Sequence, residues 1–150
     1  MQNSLILASG SPRRRELLSL MGITYQICPA DVDEHMTGAP DEVVMALSRR
    51  KALAVAERHS GCTVLGADTL VACRGEIMGK PQDQQDAMRM LMLLSGGENT
   101  VYTGVTVIDG KTGRVDTRCD QTRVHFVPIT PEAAQRYIDS GEPMDKAGAY

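Results

Sequence analysis

The chain has 150 residues, enough for one domain with a sizeable core and no need of a linker. A formal net charge of −3 and a pI near 5.6 exclude a general binder of nucleic acid or of anionic membrane, so basic residues matter only where they are grouped. With no tryptophan and one phenylalanine there is little to stack on single-stranded bases, which favours a small ligand.

Cys28, Cys62, Cys73 and Cys119 are widely spaced, with no CxxC pair and no histidine at zinc-finger distance, and read as reduced thiols. Met1 to Ser4 lead directly into an apolar run, without a basic segment or cleavage site. Neither a signal peptide nor a membrane span is expected, and the protein is expected to be soluble and cytoplasmic.

Leu5-Ile6-Leu7-Ala8 is short enough for a buried strand and stops at Ser9-Gly10, where Ser11 as N-cap and Pro12 in the first helical position open a helix. Free N–H groups and the positive dipole end at a helix start favour an anion, and Arg13, Arg14 and Arg15 add cationic forks there. Arginines in a first turn cost helix stability, which a bound phosphate would offset. The competing reading is a solvated face or a patch for an acidic partner.

The helix continues through Leu17, Leu18, Leu20 and Met21 to Gly22, and Ile23 to Ile27 alternates like a half-buried strand. Asp31-Val32-Asp33-Glu34-His35 is either solvated acidic loop or the source of one or two ligands for a hard divalent cation such as Mg²⁺. Pro40-Asp41 starts a helix to about Arg58 with Val44, Leu47 and Val55 as its apolar stripe. Lys51 falls within that stripe, whereas Arg49 and Arg50 point well away. Its ammonium either snorkels to the edge or reaches a buried anion.

Thr63 to Cys73 is apolar on both alternating faces and reads as a central strand, interrupted by Asp68 and Thr69. An ionised carboxylate there needs a metal, a cation or several donors, so Asp68 is either a site residue or a buried side chain satisfied by backbone. Gly75 allows a turn to a short strand, Glu76 to Met78, and Lys80 is held extended before Pro81. Asp83 caps a helix ending at Ser95-Gly96-Gly97, whose methionines read as core filler. Strands over about 100–108 and 115–127 follow, joined by a turn from Asp109 to Gly113, then a helix from Thr130-Pro131 to about Asp139. The last residues, from Glu142 to Tyr150, read as a charged, glycine-rich loop that leads elsewhere.

Ser9-Gly10-Ser11-Pro12-Arg13-Arg14, Val32-Asp33-Glu34, Lys51-Ala52, Gly66-Ala67-Asp68-Thr69, Gly79-Lys80-Pro81, Thr103-Gly104-Val105 and the run from Ser140 to Tyr150 together resemble the Maf family of nucleoside triphosphate pyrophosphatases. The likeness spans residues 1–150 as one unit, with the motifs in family order. It implies the α/β architecture shared with Ham1 and ITPase-like proteins, an elongated mixed sheet flanked by helices with a substrate groove between two lobes.

The resemblance further implies that water attacks the α-phosphorus of a nucleoside triphosphate, leaving a monophosphate and pyrophosphate. Asp68 would be general base or metal ligand, Glu34 a second metal ligand, and Mg²⁺, or Mn²⁺, the cofactor. Ser9, Ser11, Arg13, Arg14, Lys51, Thr69 and Lys80 would bind the substrate. Arg13 and Thr69 resemble the branch acting on dTTP and UTP, whose members also remove modified pyrimidine triphosphates before incorporation. The alternatives are a 7-methyl-GTP pyrophosphatase of the same family and a non-catalytic nucleotide-binding regulator of cell division. Relatives are often homodimers, and no nucleic-acid or membrane partner is implied. In the family Ala147 to Tyr150 is normally followed by Gly-Ile-Gln-Gly and further sheet, so the chain is expected to be C-terminally incomplete, without a glutamine that helps to select the base.

Overall fold

The computed structural model describes residues 4–150, so the reading of Met1 to Asn3 lies outside it. In chain order the described elements are β1 (Leu5–Leu7), α1 (Pro12–Leu20), β2 (Gln26–Ile27), α2 (Pro40–Ala56), β3 (Thr63–Cys73), β4 (Glu76–Met78), α3 (Gln84–Leu94), β5 (Glu98–Ile108), β6 (Val115–His125) and α4 (Pro131–Asp139). Two short 3₁₀ turns, Glu142–Asp145 and Ala147–Ala149, follow. The sheet order is β2-β1-β3-β5-β6, with β4 paired to β3. β1 is parallel to β2 and to β3, with Ile6 opposite Gln26 and Val64, whereas β4 is antiparallel to β3. The expected mixed α/β sheet is therefore present.

Two compact units divide the chain, one ending at Asp68 and regaining Thr103–Cys119, the other formed by Thr69–Tyr102 and Asp120–Tyr150. In the first, Ile6, Ala8, Ala52, Val55, Val64 and Ile108 make one core cluster. Helix α2 supplies it and lies unusually close to the strands. A Cβ on Gly66 would sit 2.5 Å from the Ser48 carbonyl oxygen and 2.9 Å from the Ala52 Cβ, and one on Gly104 would overlap the Val44 carbonyl. Only glycine fits at both places. The same contact buries a chain of hydroxyls, Ser48 Oγ to Thr106 Oγ1 at 2.8 Å and on to Thr117 Oγ1 at 2.9 Å. These three hydroxyls thus each keep a partner.

In the second unit, Val71, Cys73, Met78, Leu91, Leu94, Ile138 and Ala149 share a core. Arg74 and Gly75 both have positive φ, 50° and 79°, as a two-residue hairpin turn of the type that matches strand twist requires. Asp83 and Thr130 cap α3 and α4 through side-chain oxygens, accepting from Asp86 N–H and Ala133 N–H.

Several sequence expectations need correction. The strand expected over Ile23 to Ile27 shrinks to Gln26–Ile27, because it lies at the sheet edge and its one partner, β1, is itself only three residues long. Helix α2 ends at Ala56 rather than Arg58, and β6 at His125, leaving Val127 72% exposed. Ser11 occupies the N-cap position with extended backbone, but its side chain makes no capping bond. The terminal run is a pair of 3₁₀ turns that bury Pro143, Gly148 and Ala149.

Gly104→Ala should lower stability by about 3 kcal/mol or more, since the clash is with backbone that cannot move aside. Gly79→Ala, with no heavy atom within 4 Å of its added Cβ, should stay within ~0.5 kcal/mol of the parent; urea unfolding compares the two.

Candidate active site

The helical period puts Val44, Leu47, Ser48, Lys51, Ala52 and Val55 on the buried face of α2. Lys51 is only 8% exposed, and its ammonium does not snorkel. It donates to Asp68 Oδ1 at 2.7 Å and lies 3.0 Å from Glu34 Oε1. Asp68 is 6% exposed, on the face of β3 that also carries Gly66, whereas the Glu34 side chain is 59% exposed in the acidic loop. One buried cation is thus shared by a buried and a solvated carboxylate. Burial is the main influence on Asp68 and lifts its pKa above the ordinary carboxylate value; the Lys51 charge and hydrogen bond pull it down, Glu34 adds to the rise, and Arg14 opposes it.

At the β1–α1 joint, Ser9 is buried and its hydroxyl accepts twice, from Arg14 Nη1 at 3.0 Å and from Ser11 N–H at 3.2 Å. Its own proton is left to donate. Burial also pulls the Arg14 guanidinium below its usual pKa, Asp68 and Glu34 pull it back, and Arg13 adds to the lowering. A cation in that setting gains from any further anion. Ser9, Arg14, Glu34, Lys51 and Asp68 therefore form one electrostatically coupled group within the first unit. Arg13 is exposed on the first turn of α1 and Ser11 is half-buried. Thr69, half-buried, and Lys80, exposed ahead of buried Pro81, belong to the second unit.

Asp68 Oδ2 is buried and has no hydrogen-bond partner. A buried carboxylate oxygen with open lone pairs, beside a second carboxylate on the same ammonium, fits a hard cation that takes one or two carboxylates and fills its shell with water and phosphate. Among the described residues no group of three or more His, Cys, Asp or Glu side chains is assembled for a metal.

Arg50 lies off the apolar stripe, as the helical period places it, and is nonetheless engaged. It is half-buried, and its Nη1 donates to the Asp33 carbonyl oxygen at 2.5 Å, fixing the backbone next to Glu34. A helical wheel places Arg50 off the apolar stripe but contains no information about where the acidic loop returns.

Because the folded chain binds a proton at Asp68 more readily than the unfolded chain, the ionised carboxylate costs stability at neutral pH. Asp68→Asn is therefore expected to abolish this contribution to the pH dependence of Tm, while its Tm at any one pH also reflects a Lys51 ammonium left with Glu34 alone. As pH falls through the raised pKa toward 3.8, the parent should gain stability relative to that variant, because the folded state then holds the extra proton. Lys51→Ala should lose about 3 kcal/mol or more, since it leaves Asp68 buried without its cation.

The sequence profile of a family described as Maf-like protein matches residues 4–150. The chain is 45% identical over 148 residues to a dTTP/UTP pyrophosphatase of Pelotomaculum thermopropionicum, covering 97% of this chain and 78% of that protein. It is 49% identical over 148 residues to a dTTP/UTP pyrophosphatase of Symbiobacterium thermophilum, covering 97% of this chain and 75% of the relative. Among solved structures, the Staphylococcus aureus Ham1 protein aligns with a TM-score of 0.50 at 10% identity, over 82% of this chain and 71% of that one, a likeness of fold alone.

Proposed function

Because the chain belongs to the Maf-like protein family, we propose that it is a nucleoside triphosphate pyrophosphatase, hydrolysing dTTP and UTP to the monophosphate and pyrophosphate. The observation that carries the reading is the Lys51 ammonium held between Asp68 and Glu34, with Arg14 and the Ser9 hydroxyl in the same coupled group.

Burial makes Asp68 a stronger base than a solvated carboxylate, and its unpartnered Oδ2 is the atom that either takes the proton of the attacking water or holds the Mg²⁺ that positions it. The oxygen of the attacking water bonds to the α-phosphorus as the bond to the α,β-bridging oxygen breaks, and pyrophosphate leaves with that electron pair. Arg14, Lys51 and the Ser9 O–H carry the negative charge that grows on the leaving group; already bonded in place, they need little reorganisation. Arg13 and the N-terminus of α1 add positive potential. Asp68 and Glu34 would hold Mg²⁺, or Mn²⁺, whose charge would offset that of the triphosphate.

Arg13 and Thr69 support the pyrimidine choice over 7-methyl-GTP. The thiols support a cytoplasmic location, since no disulfide is formed among the described residues. Among the described residues, too, no helix is long and apolar enough to cross a membrane.

Pyrophosphate release from a panel of triphosphates with Mg²⁺ tests the proposal. dTTP and UTP are expected well ahead of 7-methyl-GTP, and Asp68→Asn should lower kcat by about 10²- to 10⁴-fold. A chelator should abolish turnover and added Mg²⁺ restore it. Tight nucleotide binding without turnover in the parent would instead support the regulator.

A further inference from the structure

Residues 28–39 join β2 to α2 without regular secondary structure, and residues 33–39 are exposed. Glu34 lies in this stretch. A solvated carboxylate on an irregular segment is ordinarily free to take many positions, yet this one is held beside Lys51. The bonds around it show how.

Three interactions converge on two neighbouring loop residues. Lys51 Nζ lies 3.0 Å from Glu34 Oε1, Arg50 Nη1 donates to the Asp33 carbonyl oxygen at 2.5 Å, and His35 N–H donates to Asp33 Oδ1 at 2.9 Å. The Asp33 carbonyl shares one planar peptide unit with the Glu34 N–H, so a guanidinium on that oxygen sets the direction in which Glu34 begins. The turn closed by His35 sets it from the other side.

Consecutive cations of α2 thus grip consecutive residues of the loop. They stand about 100° apart around the helix, so that Lys51 is buried and also bonds to Asp68, whereas Arg50 is half-buried on the neighbouring flank. Among the described residues, these two side chains supply the hydrogen bonds and ion pairs that tie residues 29–38 to the rest of the chain. Asp33, Glu34, Arg50, Lys51 and Asp68 all belong to the first unit.

We propose that Arg50 is a positioning residue: by holding the Asp33–Glu34 peptide it keeps the Glu34 carboxylate in the group that contains Asp68, where the two would hold the divalent cation. This rests on the reading above, in which Glu34 is a metal ligand. In this role Arg50 acts through Glu34 and touches neither nucleotide nor cation. Loss of a partner that orients a ligand typically changes metal affinity or activity by about 10- to 100-fold. It should therefore show in the Mg²⁺ requirement rather than in nucleotide affinity.

The test is pyrophosphate release from dTTP over a range of Mg²⁺ for the parent, Arg50→Ala, Arg50→Lys, Glu34→Gln and the Glu34→Gln/Arg50→Ala pair. Cleavage after Glu34 by a glutamate-specific protease, without metal or nucleotide and read by mass, supplies a measurement independent of turnover. Arg50→Ala is expected to raise the half-saturating Mg²⁺ about tenfold, with the dTTP KM at saturating Mg²⁺ within about twofold of the parent. Its cleavage after Glu34 should be several-fold faster, with little change in Tm. Arg50→Lys keeps a donor and a charge and should recover most of both readouts. In the Glu34→Gln background, Arg50→Ala should add nothing to the Mg²⁺ requirement. If Arg50→Ala does not fold, Arg50→Met, which keeps the stem and loses the donors, should show the same two shifts.

A half-saturating Mg²⁺ within about twofold of the parent in Arg50→Ala would overturn the proposal, even if cleavage after Glu34 were faster, as would an Arg50 effect that persists without the Glu34 carboxylate. Glu34→Gln with a parental Mg²⁺ requirement would overturn it while leaving the role of Asp68 standing. A parent that releases no pyrophosphate from any triphosphate would overturn this proposal and the functional reading together.

Discussion

The contact between α2 and β3 governs the chemistry available to this chain. Gly66 and Asp68 are two residues apart and so share a face of β3; Ser48 and Lys51 are three apart and share a face of α2. The Ser48 carbonyl sits over Gly66, and one helical turn on the Lys51 ammonium meets Asp68. The absence of a side chain at position 66 and the ion pair at position 68 are thus two halves of one docking. Moving the helix outward would separate a buried cation from its buried counter-ion, and each charge is tolerable in that place only because of the other. Gly104 repeats the condition on β5, against Val44. The core therefore specifies more than stability: it fixes the separation at which a lysine and an aspartate can be buried together.

That arrangement leaves the pair unbalanced. Lys51 faces two carboxylates and has direct bonds to both, whereas Asp68 offers one oxygen to Lys51 and retains the other with no partner. A fully paired ion pair in a core would be inert. An oxygen that is dehydrated and unpaired is poised to accept a proton or join a cation shell, and the destabilisation it causes is the expected companion of reactivity. Ser9 has the complementary character: Arg14 and the Ser11 amide occupy its oxygen, and the proton remains available. An unused acceptor and an unused donor within one cluster are what a reaction combining a water molecule with a phosphoryl group requires.

Much of this was legible in the sequence because charge in an apolar pattern is conspicuous. Lys51 stands out in a helical stripe of Val44, Leu47 and Val55, and Asp68 in a strand with apolar residues on both faces. Ser-Pro after a short strand marked the α1 start correctly, although the cap by the Ser11 side chain did not follow, and the Ser11 amide is held by the Ser9 hydroxyl. What stayed hidden were contacts between segments with unremarkable composition. Arg50 lies off the apolar stripe of α2, and nothing in the helical period tells that it holds the acidic loop by the Asp33 carbonyl. Asp86, Arg89 and Glu76 look like ordinary surface charges in any window, and their convergence depends on how β4 and α3 pack. The final residues read as a loop because Gly148 and Ala149 adopt left-handed backbone, at φ 71° and 64°, which no local pattern announces for an alanine. Burial of Ala149 in the second core and the bond from Tyr150 Oη to Asn99 Oδ1 at 2.7 Å hold it there.

Two cations of the functional reading are held by unlike devices. Lys51 is fixed by burial and two carboxylates, and Arg14 by a hydroxyl at a helix start. Lys51 and Arg14 already have partners, so what they offer a phosphate is directed field rather than a vacant bond, and that field is strongest where water is excluded. Both are therefore suited to stabilising charge as it develops. A chain with a net charge of −3 can in this way attract a polyanion locally while remaining unattractive to nucleic acid as a whole.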